Sequence, residues 1–592
     1  MNKLRQNELV VVNAGLVALL ALASNAFSQE PSAALKKADA AYRAGQAALA
    51  QKDLNTAQAD FEQVVQLAPQ AEQGHSALGL VLVSRGHLKE GIRELEKALA
   101  IKANDSVAQT NLALAYEQIG SPEKALPLFS KLEADAHLHG RRLPSYVLVG
   151  YAYSLAATQK TGLAITKMKA ALATEAQNAD LHDELGSLYA QQKNWAQAQE
   201  EFAAAIRINP NLAVAHLHLG LAMQAQGGKG GLTELAQASQ IAPQDAVIAV
   251  EYGKALAASG QDEQAIPVFE HVLELDPEST AASYQLALAL QRSGKVQEAI
   301  VLLKKVLVTE PNNAEAMTNL GMALCQAQLA KEAVPVLQRA VAVAPESVTA
   351  HQDLAAAYVQ LSQFGDAVFE LHQAIKLAPE QAQLHYNLGL AFKMQDDAAE
   401  AIPELQTAER LDSSAPEAPY LLGVLYMQTG RYEDAAREMY SSLKLRPENG
   451  DGWAALGSVY DKLNKLADAT AALREAIRQL PGQPDPHLTL AAVLTKQNQP
   501  VEAAAERKKA ADLMRNNMNR QRAEVATHAG NSQLRSGDVE GSITQFRDAL
   551  SYDANYAEAH IGLADALDRQ GKTGEAAAER QKAEAAKTAA NP

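Results

Sequence analysis

The chain has 592 residues and a formal net charge of −16, and only 5% of its residues are aromatic. This acidic balance repels phosphate at long range and argues against nucleic acid as a partner. Its single cysteine, Cys325, excludes an internal disulfide and a thiolate metal cluster.

The first residues have the pattern of a secretory signal peptide. Lys3 and Arg5 precede an apolar stretch from Leu9 to Ala23, and small residues within 24–28 offer a cleavage site. The stretch is short for a membrane span, although an uncleaved anchor is the alternative. We predict a signal peptide over residues 1–28 and a short N-terminal segment over 29–37. The expected protein is exported, periplasmic or extracellular, with no stable membrane insertion after cleavage.

A small residue recurs about every thirty-four residues in the rest of the chain, and in nearly every case another small residue follows twelve positions later. The sixteen first members are Gly45, Gly79, Ala113, Ala152, Gly186, Gly220, Gly253, Ala287, Gly321, Ala355, Gly389, Gly423, Gly457, Ala491, Gly530 and Ala564. A fixed period of this size indicates a solenoid of supersecondary units.

Each unit has the pattern of two amphipathic helices joined by a short turn. In residues 280–313 the apolar positions follow a helical period on both sides of Ser293-Gly294-Lys295, and Pro311 ends the second helix. We expect the small pair to let the two helix backbones approach closely where they cross.

This pattern resembles the tetratricopeptide repeat family. Residues 450–483 carry it most fully, with Trp453, Leu456, Gly457, Tyr460, Ala469, Leu473, Ala476 and Pro481. The resemblance covers about residues 38 to 585 and implies an all-α fold, an α-solenoid that winds as a right-handed superhelix of about sixteen helix-turn-helix units. Units one to fourteen are expected over 38–522, and a C-terminal pair of units with a tail over 523–592.

Two insertions of five residues interrupt the period, one before Ser145 and one before Ala523. Neither Pro nor Gly occurs between Val501 and Gly530. We therefore predict that the second helix of unit fourteen is lengthened by more than a turn and runs almost into the next unit.

No catalytic constellation is visible in the sequence. The fourteen histidines are scattered over the units without metal-ligand spacing, and the glycines at 227–231 lack the context of a phosphate loop. We predict a protein that is not an enzyme, with no catalytic residues, no metal site and no cofactor.

Polar residues recur two places before the small residue of the first helix. In consecutive units they are Glu184, His218, Glu251, Gln285, Asn319, Asp353 and Asn387, with Asn111 earlier in the chain. In the resembled family the first helices line the concave face. In the protein O-linked N-acetylglucosamine transferases, which this pattern resembles, an asparagine ladder there holds a peptide backbone. Carboxamides suit that role because they both donate and accept hydrogen bonds.

The predicted binding groove combines ladder residues with aromatic and methionine side chains nearby. Its residues are Glu251, Tyr284, Gln285, Asn319, Met322, Asp353, Tyr386 and Asn387. The alternatives are a solvated polar face for the ladder and packing between units for the tyrosines and methionines.

The leading functional hypothesis is a non-enzymatic scaffold that binds peptide segments or partner proteins in this groove. The first alternative is a structural spacer or assembly subunit of an envelope or polysaccharide machinery. A weaker alternative is a relative of the repeat-containing protein glycosyltransferases that lacks the catalytic domain.

Overall fold

The computed structural model describes residues 33–590 with the exception of Lys229, so the predicted signal peptide lies outside the described residues. Within this range the chain consists of helices and short connections without a strand, which confirms the predicted all-α class. The helices form antiparallel hairpins in two compact blocks, an N-terminal block up to Lys305 and a C-terminal block from Val306.

The helices α1 to α16 begin in the N-terminal block. They are α1 Ala33–Ala50, α2 Leu54–Leu67, α3 Glu72–Ser84, α4 Leu88–Ile101, α5 Ser106–Gln118, α6 Pro122–Leu138, α7 Ser145–Ala157, α8 Thr161–Leu172, α9 Ala179–Gln191, α10 Trp195–Ile208, α11 Ala213–Ala225, α12 Gly231–Ile241, α13 Ala246–Ala258, α14 Asp262–Leu275, α15 Thr280–Arg292 and α16 Val296–Thr309.

The helices α17 to α31 belong to the C-terminal block. They are α17 Ala314–Gln326, α18 Ala330–Val343, α19 Val348–Gln360, α20 Phe364–Leu377, α21 Ala382–Met394, α22 Ala398–Leu411, α23 Glu417–Gln428, α24 Tyr432–Leu445, α25 Gly450–Lys462, α26 Leu466–Gln479, α27 Pro484–Lys496, α28 Pro500–Ser536, α29 Val539–Tyr552, α30 Ala557–Arg569 and α31 Thr573–Ala590. With α28 serving two units, the described chain contains the sixteen expected hairpins.

Local sequence explains where the helices begin and where they end. Many first helices start after a side chain that accepts a backbone N–H of the first turn, which satisfies an otherwise unpaired donor. These caps are Asp105, Asn178, Asp245, Ser279, Asn313, Ser347 and Asn449. The turn inside most hairpins contains a residue with positive φ, such as Gly294 at 78°, a conformation in which glycine is unstrained.

The close helix crossing predicted from the small residues is present, and its main partner is a large side chain. A Cβ atom added to Gly389 would lie 2.6 Å from Cγ of Leu405 and 3.2 Å from the Ala401 carbonyl oxygen. Leu405 follows Gly389 by sixteen positions and is completely buried. Phe61, Leu95, Phe202, Phe269, Leu337, Met439, Leu473 and Phe546 make the same contact with the glycines of their hairpins. The glycine therefore provides the space that this large side chain fills.

The predicted lengthening near residue 501 is confirmed and exceeds the prediction. Helix α28 runs without interruption from Pro500 to Ser536, a length of 37 residues. It serves both as the second helix of unit fourteen and as the first helix of unit fifteen. The position 522/523, where we expected the C-terminal pair to begin, lies inside this helix.

None of the described helices combines the length and the apolar character that crossing a membrane requires.

Candidate functional site

Five of the predicted groove residues lie on three successive first helices of the C-terminal block. Asn319 and Met322 are on α17, Asp353 is on α19, and Tyr386 and Asn387 are on α21. Met322 is 36% exposed, and the other four are half-buried. These positions leave part of each side chain accessible, as a binding surface requires.

The two asparagines are partly engaged by their own helices. The Asn319 amide donates to the Glu315 carbonyl at 3.0 Å, and the Asn387 side-chain oxygen accepts from Gln383 at 2.8 Å. A partner's backbone would therefore compete with local hydrogen bonds at both positions. These two side chains are therefore less available to a partner than the sequence pattern alone indicates.

Asp353 is the most unusual residue of this surface. Its carboxylate accepts no hydrogen bond from any described residue, and burial raises its pKa to about 6. Cys325 on α17 lies close enough that burial, together with the Asp353 charge, raises the pKa of its thiol to about 11. The thiol is thus protonated and unreactive at neutral pH, as expected for a buried cysteine.

Tyrosines continue this surface along the block. Burial raises the pKa of Tyr386, and the neighbouring Glu417 carboxylate adds to the shift. Burial and Asp451 raise the pKa of Tyr420 in the same way. This face carries the half-buried Asp353 and Glu417 and the exposed Asp451, and Glu417 is paired with Arg446.

The other three predicted residues belong to the N-terminal block. Glu251 on α13 forms an ion pair with Lys254 at 2.8 Å, and Tyr284 and Gln285 are half-buried on α15. In the same ladder, the His218 ring nitrogen Nδ1 lies 2.9 Å from a carboxylate oxygen of Asp183. Most of the charged ladder positions of this block are thus already paired within the protein.

A repeated histidine contact is the main feature that sequence reasoning missed. Near the start of a first helix, Nδ1 of the histidine ring contacts a glutamate of the second helix. The pairs are His75–Glu94, His182–Glu201, His216–Glu234, His351–Glu370, His385–Glu404, His487–Glu506 and His560–Glu579, with distances of 2.5 to 2.7 Å. We call each such pair a histidine latch.

In most latches the other ring nitrogen, Nε2, contacts a carbonyl oxygen of the turn that ends the preceding unit. His351, for example, lies 3.1 Å from the Pro345 carbonyl oxygen. The ring of His351 thus lies between two oxygen atoms, one from the second helix and one from the preceding turn. Trp453 occupies the same place on α25 and donates its ring N–H to the Pro447 carbonyl at 2.8 Å.

The latches have a structural role, because they bind the second helix and the preceding turn to the same ring. The signal was present in the sequence, since the glutamate usually follows the histidine by nineteen positions. Among the described residues, no group of three or more His, Cys, Asp or Glu side chains is arranged to hold a metal ion.

Three family models match the chain. "Tetratricopeptide repeat" matches residues 35–107, 394–449, 420–484 and 528–592, "TPR repeat" matches 186–227, and "Psidin, N-terminal TPR repeats region" matches 256–386. None of them is a model of an enzyme family. No curated protein matches the sequence at a significant level.

Several solved structures are similar to parts of the chain. MamA from Desulfovibrio magneticus RS-1 is 27% identical, with 28% of this chain and 96% of that chain covered and a TM-score of 0.28. Yeast Tom70 is 17% identical, with 67% of this chain and 96% of that chain covered and a TM-score of 0.31. YrrB, described as a TPR protein with an unusual peptide-binding site, is 21% identical. The match covers 31% of this chain and 95% of that chain, with a TM-score of 0.28.

Proposed function

Because tetratricopeptide repeats are found across this chain, we propose that it is a non-enzymatic scaffold that binds partner proteins or peptide segments on its first-helix surface. This repeat typically mediates interactions between proteins. The surface we assign to this role is formed by the predicted residues of the C-terminal block, which are Asn319, Met322, Asp353, Tyr386 and Asn387. On the basis of the signal-peptide pattern over residues 1–28, the proposal places the scaffold in the periplasm or outside the cell.

The unpaired Asp353 carboxylate carries the most specific part of this proposal. Burying a carboxylate without a hydrogen-bond partner costs free energy, and a bound cation would offset that cost. The neighbouring face is acidic and carries tyrosines, which suits the ammonium or guanidinium group of a partner together with its aliphatic stem. We therefore assign a lysine- or arginine-containing peptide segment to this surface of the C-terminal block.

An array of short immobilised peptides tests this assignment. The wild-type chain is expected to retain peptides with Lys or Arg, and Asp353→Asn is expected to retain them about tenfold more weakly, because the charge pair is lost. Binding by the wild type should also weaken as the pH falls through about 6, where Asp353 takes up a proton.

Stability measurements provide the control for this variant. Folding raises the pKa of Asp353, so its charged form destabilises the folded state above the unfolded pKa of about 4. Asp353→Asn should therefore melt at the same or a higher temperature at pH 7. If cationic peptides bound equally to wild type and variant, Asp353 would not belong to the site.

The asparagines are tested separately by replacing Asn319 and Asn387 together with Ala. We expect weaker peptide capture with a nearly unchanged melting temperature, since each hydrogen bond contributes only about 0.5–1.5 kcal/mol. The matched control replaces Asn312 and Gln373, which lie outside the first helices, with Ala. Equal capture by both double variants would place the site elsewhere.

A further inference from the structure

The insertion before Ser145 creates a cavity in the N-terminal block. The preceding helix α6 extends to Leu138, and residues 139–144 then form a loop before α7. Together with the starts of α5 and α7, these elements line a half-open cavity of about 210 Å³. Its walls include Asn111, Leu132, Arg141, Arg142, Leu143 and Tyr146.

Two polar groups of the cavity wall lack a partner among the described residues. Asn111 is only 8% exposed, and its carboxamide makes no hydrogen bond there. The Tyr146 hydroxyl is likewise without a partner, and burial raises its pKa. A buried carboxamide without hydrogen bonds is costly, so its presence beside a cavity points to a ligand.

The charges around the cavity favour an anion. Arg142 has no carboxylate partner among the described residues, whereas Arg141 lies 3.8 Å from Asp135. Asp105, which caps α5 by accepting the Val107 backbone N–H at 3.0 Å, does not line the cavity. One guanidinium group therefore remains available for an anionic ligand.

The apolar residues of the cavity wall indicate that the ligand also carries an apolar group. Leu132 is buried and Leu143 half-buried at the cavity, so they offer a surface for a hydrocarbon group. The volume is below the range of about 300–1,000 Å³ that is typical of pockets for drug-sized ligands. A ligand of the size of one amino acid fits these limits.

We propose that this cavity binds a carboxylate that carries one apolar substituent. The carboxylate accepts hydrogen bonds from Arg142 and from the Asn111 amide, and the substituent packs against Leu132 and Leu143. This chemistry occurs in a free small organic acid and at the C-terminus of a peptide. The site lies in the N-terminal block and includes Asn111 of the ladder, but it shares no residue with the surface proposed above and does not depend on that proposal.

Calorimetric titration of the full chain with three probes tests the proposal. N-acetyl-L-leucine supplies the carboxylate and substituent, N-acetyl-L-leucinamide lacks the charge, and a short glycine peptide ending in leucine supplies a chain terminus. We expect the acid to bind and the amide to bind at least about tenfold more weakly, because hydrogen bonds to charged groups are the stronger ones. Tighter binding of the peptide than of the free acid would assign the site to a chain terminus, and the reverse order would assign it to a small acid.

Two variants and a control complete the experiment. Arg142→Gln and Asn111→Leu should each weaken binding of the acid about tenfold, whereas Arg93→Gln, an exposed arginine outside the cavity, should bind like the wild type. Melting temperatures verify that all variants are folded. Equal binding of acid and amide, or unchanged binding by folded Arg142→Gln, would overturn the proposal.

Discussion

Gly389→Leu is expected to destabilise the hairpin of α21 and α22 by about 3 kcal/mol or more. The new side chain would start 2.6 Å from Cγ of Leu405 and 3.2 Å from the Ala401 carbonyl oxygen. Leu405 is completely buried, and side chains in close-packed protein interiors move aside only at a cost. The two helices must therefore separate, and the packing of the hairpin is lost.

Hydrogen exchange measured by mass spectrometry checks the size and the range of this effect. Because each hairpin contacts only its neighbours, faster exchange should be confined to α19 to α24. Gly482→Leu is the matched control, since no atom lies within 4 Å of the position where its Cβ would be placed. Equal loss of protection in α30 and α31, or an equal effect of the control, would contradict local coupling.

His351→Leu is expected to lower the free energy of unfolding by about 3 kcal/mol. The substitution leaves the Glu370 carboxylate and the Pro345 carbonyl without the contacts they have in the wild type, at 2.6 and 3.1 Å. The Glu370 side chain is only 12% exposed, so water replaces the lost contact poorly. Chemical denaturation followed by circular dichroism measures the loss.

Two comparisons identify the latch as the cause of this loss. His351→Trp should be less harmful than His351→Leu, because Trp453 shows that an indole N–H reaches the equivalent carbonyl at 2.8 Å. His528→Leu should have little effect, since the side chain of His528 is 75% exposed. A loss for His528→Leu as large as that for His351→Leu would show that the latch is not responsible.

Two of the latches also make stability depend on pH in the acid range. Burial raises the pKa of Glu579, but hydrogen bonds from Lys582 and His560 outweigh burial and hold it below its usual 4.5. A carboxyl that is more acidic in the folded state stabilises the protein above its unfolded pKa, and the contribution disappears as the pH falls through the folded pKa. We expect the hairpins that contain Glu94 and Glu579, whose pKa values are both lowered, to loosen as the pH falls below about 4.5.

The sequence was sufficient to predict the helix class, the number of hairpins and the extended helix. Those features depend on periodic small residues and on the absence of helix breakers. Both can be found in the sequence without knowing which residues contact each other. The partner of each glycine was not predicted, because Gly389 and Leu405 meet only after the hairpin closes. Sequence position likewise placed Asn319 on a first helix, but it could not indicate that its amide donates to the carbonyl of Glu315.

The residues of the candidate surface were proposed from the sequence, whereas their charge state could not be predicted from it. Glu251 and Asp353 occupy the same place in their units, yet only Glu251 has a lysine one helical turn away. The raised pKa of Asp353 results from desolvation by surrounding side chains, which periodicity does not encode. The cavity at Asn111 was missed for a related reason, since the loop that closes it has no counterpart in the other units.

Helix α28 makes the connection between units fourteen and fifteen stiffer than the turns that connect the other units. Its 37 residues correspond to a rod of about 56 Å. Elsewhere consecutive helices are joined by turns that can pivot, but a displacement of α29 to α31 must bend or twist this rod. Met514 and Met518, at 44% and 46% exposure, mark its least supported stretch. Under a pulling force applied at the C-terminus, this stretch is where the rod should yield first, and the last two hairpins would then come away as one piece.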